Sequence, residues 1–91
     1  MTGILDEAKR LTEVDRQNQY GNPKNVYAVV ARLWTAYLER EGSRALRSKD
    51  VAMMMILLKV GREMGHHQRD NIVDIAGYAN VLAMIEGGFV E

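Results

Sequence analysis

The 91-residue chain has no cysteine, one proline, one phenylalanine and no net charge. Without cysteine there is no disulfide framework and no Cys-ligated zinc or iron–sulfur centre. Twelve basic residues balance twelve acidic ones. The positive excess of a general nucleic-acid binder is therefore missing. The longest strictly apolar run, Val51 to Leu58, is far too short to span a bilayer, which takes about 20 residues. The start, Met1 to Glu7, is acidic and has none of the basic residues that open a signal peptide. These absences point to the cytoplasm, with no membrane partner. Few aromatics in a chain that is 47% hydrophobic imply an aliphatic core. A single core in one domain, residues 1–91, is what this length supports.

The breaks that remain divide the chain into four stretches. Pro23 follows Asn22, and Gly42, Gly65 and Gly87-Gly88 supply the other stops. No stretch alternates with a period of two, so the expected fold is all-α, a compact bundle of about four helices. The first helix is expected from Thr2 to Asn18, with Ile4, Ala8 and Leu11 on one stripe and Leu5 beside it. Asn22 caps the second, which has Pro23 at its first position, Val26, Val30, Leu33 and Tyr37 in one row and Tyr27, Trp34 and Leu38 in the next. Ser48 is the expected cap of the third, with Asp50 in its first turn. Its segment Val51–Leu58 is apolar around the full circumference, which predicts burial on every side. In so small a bundle that burial calls for a second copy of the chain, so a homo-oligomer is expected. The fourth helix is expected from Asp70, as cap, to Glu86. Its core face is read as Ile72, Ile75, Ala76, Ala79, Leu82 and Ala83, and its reverse face as Asp70, Asp74, Tyr78, Val81 and Ile85.

The candidate chemistry is ligand binding. Lys59 and Arg62 lie three residues apart on one helix, suited to gripping a phosphate or to pairing with acids on the next helix. Asp74 sits mid-helix, where aspartate is a poor helix former, so a specific partner is expected, and a basic side chain is favoured over a metal. Asp70 is expected to cap, and Arg69 stands beside an anion-attracting helix end. Tyr20, Trp34, Tyr37 and Tyr78 are the candidates for stacking on a base, with Trp34 and Tyr37 read first as core or interface and Tyr20 and Tyr78 favoured for stacking. Arg40, Arg44 and Arg47 form a basic connector read mainly as solvated, as are His66 and His67. No nucleophile–base pair and no phosphate-binding glycine loop occurs. No catalytic set, metal site or cofactor is expected.

Five motifs carry a resemblance that covers most of the chain after residue 16. They are Gln19-Tyr20-Gly21-Asn22-Pro23, Ala31-Arg32-Leu33-Trp34, Asp50-Val51-Ala52-Met53-Met54, Leu58-Lys59-Val60-Gly61-Arg62 and Arg69-Asp70-Asn71-Ile72-Val73-Asp74-Ile75-Ala76-Gly77-Tyr78-Ala79. Together they resemble a family of small phage and prophage proteins. In the last motif, Gly77 beside Tyr78 suggests close helix packing. That family is loosely similar to the MazG-like all-α nucleoside triphosphate pyrophosphohydrolases, which hold Mg²⁺ with Glu-x-x-Glu and Glu-x-x-Asp pairs. Here Asp50, Glu63, Asp70 and Asp74 do not reproduce those spacings. The resemblance thus implies a nucleotide-sized pocket without the catalytic acids. The first expectation is a phage-type nucleotide binder, by analogy an anti-defence sponge for a cyclic-nucleotide signal. A divergent Mg²⁺-dependent pyrophosphohydrolase and a pure protein-interaction module are the alternatives.

Overall fold

The computed structural model describes residues 3–15, 22–41 and 45–87. Every regular element among them is helical. Helix α1 spans Ile4–Arg10 and runs into a π-helical turn, Leu11–Asp15. Helices α2 (Pro23–Glu41), α3 (Ser48–Gly65) and α4 (Arg69–Glu86) follow. Among the described residues α3 packs against both α2 and α4, which do not pack against each other, and α1 packs against none of the three. No described helix is long and apolar enough to cross a membrane.

The start of α2 follows from its sequence. The Asn22 side-chain oxygen accepts the Lys24 N–H at 2.9 Å, and the Asn22 carbonyl accepts the Val26 N–H at 3.1 Å. Pro23 needs no partner in that turn. Val26 and Val30 are buried, with Leu33 and Tyr37 half-buried along the same row. The Trp34 indole donates to the Met54 carbonyl at 2.8 Å, tying α2 to α3.

The start of α3 is built otherwise than expected. Ser48 is the first helical residue and Arg47 takes the cap position. Capping comes instead from Asp50, whose Oδ2 accepts the Arg47 N–H at 2.7 Å. This is the reach-back half of a capping box, which satisfies a backbone donor outside the helix. Asp50 is wholly buried, and its Oδ1 accepts the Tyr37 hydroxyl at 2.6 Å. The apolar girdle of α3 is not buried all round: Met53 to Val60 are half-buried and Val51 is exposed. A helix flanked on two sides in a single layer keeps part of its circumference open.

Two further expectations are corrected. The stripe of α1 is not part of this core, since Ile4 and Leu5 are 89% and 73% exposed. Amphipathic spacing shows that a stripe suits an apolar neighbour, not which neighbour it has. The packed face of α4 is also rotated from the one read in the sequence. Asn71 is buried and Asp74, Ile75, Tyr78 and Leu82 are half-buried, whereas Ile72, Ala76, Ala79 and Ala83 are exposed. Apolar side chains ring α4 with no clear phase, so its polar anchors, Asn71 and Asp74, decide the rotation. Gly77 is exposed, with nothing within 4 Å of where a Cβ would stand. Gly61 is the glycine of close approach instead: a Cβ there would lie 2.5 Å from Val30 Cγ2.

Candidate functional site

Helix α3 supplies a row of polar side chains, Lys59, Arg62 and Glu63, that reach both neighbouring helices. Lys59 Nζ meets Asp74 Oδ2 on α4 at 2.9 Å. This answers the question posed by an aspartate in mid-helix: its specific partner is a lysine. The lysine side chain is only 14% exposed and the aspartate 43%. A pair so close to solvent contributes on the order of 1 kcal/mol or less, and serves more to set the rotation of α4.

Glu63, one turn on, organises the α3–α4 corner. Its Oε1 accepts the Gln68 N–H and the Asn71 Nδ2–H, each at 3.1 Å, and its Oε2 pairs with His67 Nδ1. The bond from His67 is the main influence holding the Glu63 carboxyl below its ordinary range. Burial opposes this, while the Asn71 and Gln68 donors and the charge of His67 reinforce it. Asn71 also donates to the His66 carbonyl at 3.4 Å, and its own Oδ1 is buried without a hydrogen-bond partner. Gln68, not Asp70, holds the cap position of α4. The carboxylate that serves this helix start comes from the preceding helix.

Arg62 points the other way. Its Nη2 donates to the Tyr27 hydroxyl on α2 at 3.5 Å. The two residues border a groove of about 380 Å³ between α2 and α3, lined also by Val30, Ala31, Trp34 and Leu58. The lining combines an apolar floor, two aromatic rings and a guanidinium. A second hollow of about 310 Å³ lies at the opposite end of the layer, among Tyr37, Arg40, Lys49, Met53, Leu82 and Glu86. Among the described residues no three His, Cys, Asp or Glu side chains are grouped so as to hold a metal ion.

The residues singled out in the sequence therefore do not form one cluster. Lys59 and Asp74 are paired, and Arg62 lies on the α2 side in contact with Tyr27. Arg69 and Asp70 are exposed at the start of α4, and Tyr78 is half-buried on its packed face. Tyr20 and Arg44 lie outside the described residues. In the sequence Tyr27 is placed only on an apolar face and Trp34 in core or interface ahead of stacking, and Glu63 and Asn71 are not singled out as site residues.

An all-α layer with polar tethers across α3 and an aromatic groove beside it is the type of domain these features define. The chain belongs to the family described as "Domain of unknown function (DUF6378)", whose model matches residues 3–86. It is 44% identical over 85 residues to the "Gene 55 protein" of Mycobacterium phage L5 and 40% identical over 83 residues to that of Mycobacterium phage D29. These matches take in 91% and 90% of this chain and 52% of each relative. The chain thus spans about half the length of the curated relatives it matches. The likeness to phage proteins drawn from the motifs agrees with both. No solved structure matches the chain.

Proposed function

We propose that this domain binds a nucleotide-type, phosphate-bearing ligand in the α2–α3 groove and holds it without turnover. The observation that carries the reading is the combination in that groove of Tyr27, Trp34 and Arg62 over an apolar floor of about 380 Å³. Small-molecule sites are typically clefts of roughly 300–1,000 Å³, mostly apolar, with a few polar groups that fix orientation. An aromatic face takes a base, and a guanidinium takes a phosphate by charge-assisted, often bidentate bonds. The Trp34 N–H is occupied by the Met54 carbonyl, so the indole is already positioned. In this reading Tyr27 takes the stacking role for which the sequence favoured Tyr20 and Tyr78, and Arg62 remains the phosphate ligand. Lys59 and Asp74 brace α4 in this scheme, while Arg69 and Asp70 stand apart from the groove.

Binding without turnover is supported by the engagement of the acids. Asp50, Glu63 and Asp74 are each tied to donors or cations of the protein itself. With phage relatives, the wider role that fits is an anti-defence sponge that sequesters a nucleotide signal. A panel of linear and cyclic nucleotides, with and without Mg²⁺, tests this by melting temperature. A binding nucleotide adds about 2.7 kcal/mol at a hundred-fold excess over its dissociation constant. Arg62→Ala and Tyr27→Ala should each remove that gain. No shift across the panel would overturn the reading, and pyrophosphate release would promote the pyrophosphohydrolase alternative.

A further inference from the structure

Among the described residues that line it, the α2–α3 groove has a single cation, Arg62, and no carboxylate. Tyr27 and Trp34 both border it from α2, and from one to the other the helix rises about 10 Å. On α3, Arg62 lies against Tyr27, and Leu58 lies one turn earlier. Trp34 is held at the other end by the Met54 carbonyl. Val30, between the two rings, is pressed against Gly61. That contact closes the floor, so a ligand lies along the groove and does not pass between the helices. Tyr27 is 54% exposed, whereas Trp34 is half-buried. Tyr27 is therefore the open ring, with the guanidinium beside its hydroxyl.

We propose that the ligand is a purine nucleotide with one phosphate, either a 5′-monophosphate or a 3′,5′-cyclic monophosphate. This rests on the nucleotide reading of the groove and narrows it. Charge sets the phosphate count. A guanidinium grips one phosphate through two parallel bonds. Triphosphate sites add a lysine and Mg²⁺ at the β and γ phosphates, and such an Mg²⁺ takes one or two carboxylates from the protein. Here Glu63, next to Arg62 in the chain, serves the α3–α4 corner, and Lys59 and Asp74 meet each other. Size sets the same limit. A volume of about 380 Å³ stands near the low end of ligand clefts, which run from roughly 300 to 1,000 Å³. A cyclic dinucleotide would bring a second base and a second phosphate, for which the lining has neither an open ring nor a cation.

The rings set the choice of base. Strong discrimination between similar ligands comes from hydrogen bonds to their polar edges. In this groove the Trp34 N–H is engaged by the Met54 carbonyl, and the Tyr27 hydroxyl accepts from Arg62. Selection then falls to stacking, which tolerates any base because every base has a π-face. A purine covers more of the Tyr27 ring than a pyrimidine does and is held more tightly. Adenine and guanine cover it alike.

Calorimetric titration of the wild-type chain tests this. The 5′-monophosphates of adenosine and guanosine should bind within about threefold of each other, and about tenfold more tightly than those of cytidine and uridine. Adenosine without phosphate should bind about tenfold more weakly than its monophosphate. In Arg62→Ala that gap should vanish. In Tyr27→Leu the purine preference should vanish while the gap remains. Adenosine triphosphate with Mg²⁺ and a cyclic dinucleotide should bind no more tightly than adenosine monophosphate. Tight binding of either the 5′ or the 3′,5′-cyclic form supports the proposal, and the tighter of the two identifies the source of the phosphate. A triphosphate or cyclic dinucleotide bound more than about tenfold tighter than every monophosphate would overturn the proposal and leave the nucleotide reading standing. So would adenine and guanine forms that differ by more than about tenfold. Binding of none of these ligands would overturn the nucleotide reading itself.

Discussion

Gly61 of α3 and Val30 of α2 are in contact so close that a Cβ on the glycine would lie 2.5 Å from Val30 Cγ2. Valine is stiff at χ1, so it cannot swing clear without leaving its rotamer. Gly61→Ala should destabilise the fold by about 1–3 kcal/mol through overpacking, although alanine is the better helix former. Val30→Ala should relieve the clash. In thermal denaturation the double variant should lose less than the two single losses together.

Tyr37 and Asp50 form a second tether between α2 and α3. Tyr37→Phe removes one donor from a wholly buried carboxylate, and hydrogen bonds to charged groups are worth about 1.5–3 kcal/mol. Denaturant titration should show a loss within that range. Asp50→Asn should lose at least as much, because a neutral amide weakens both the bond from Tyr37 and the reach-back to the Arg47 N–H.

The Glu63 corner predicts acid sensitivity. The carboxyl titrates below its ordinary range in the folded chain, so near-neutral solution favours the folded state. That contribution is fully present above the ordinary glutamate range and is lost as pH falls through it toward the lower folded value. Glu63→Gln should flatten the stability profile below about pH 4.5, while leaving its shape near neutrality unchanged. A profile unaltered by the substitution would remove Glu63 from this role.

Asn71 is wholly buried and donates to the Glu63 carboxylate. Asn71→Asp replaces that donor with a second carboxyl. A wholly buried carboxylate beside the half-buried Glu63 carboxylate cannot ionise freely, so one of the two stays protonated or the corner opens. The variant should melt well below the wild type at pH 7, by the several kcal/mol expected for an uncompensated buried charge. Part of that gap should close in mild acid.

Lys59 and Arg62 should separate by behaviour. Lys59→Ala removes the partner of Asp74 and should cost stability of order 1 kcal/mol with nucleotide affinity largely retained. Arg62→Ala should do the reverse. If both variants lost stability equally and neither altered a nucleotide-induced shift, both side chains would be structural. Melting curves with and without ligand distinguish the two cases.

The all-α class, the three packed helices and the start of α2 were legible in the sequence, because each rests on local chemistry, whereas the caps of α3 and α4 fall at Arg47 and Gln68 and not at Ser48 and Asp70. Asn22 and Pro23 can open a helix only one way, and glycines beside apolar runs stop one. The partner of Asp74 was legible in kind, since a mid-helix carboxylate needs a cation. Tertiary structure decided what periodicity leaves open. A helix such as α4, apolar around its circumference, has no preferred rotation of its own. Lys59 and Glu63 on α3 therefore choose its inner face, and Ile72, Ala76 and Ala83 are left outside. The helix pattern equally could not say that α1 stands away from the layer, or that Gly61 and not Gly77 marks the close crossing. Both depend on which surfaces meet, and that is a property of two helices together. The groove beside Tyr27 and Arg62 belongs to the same category. Its walls are 35 residues apart in the chain and become one surface only when α2 packs on α3.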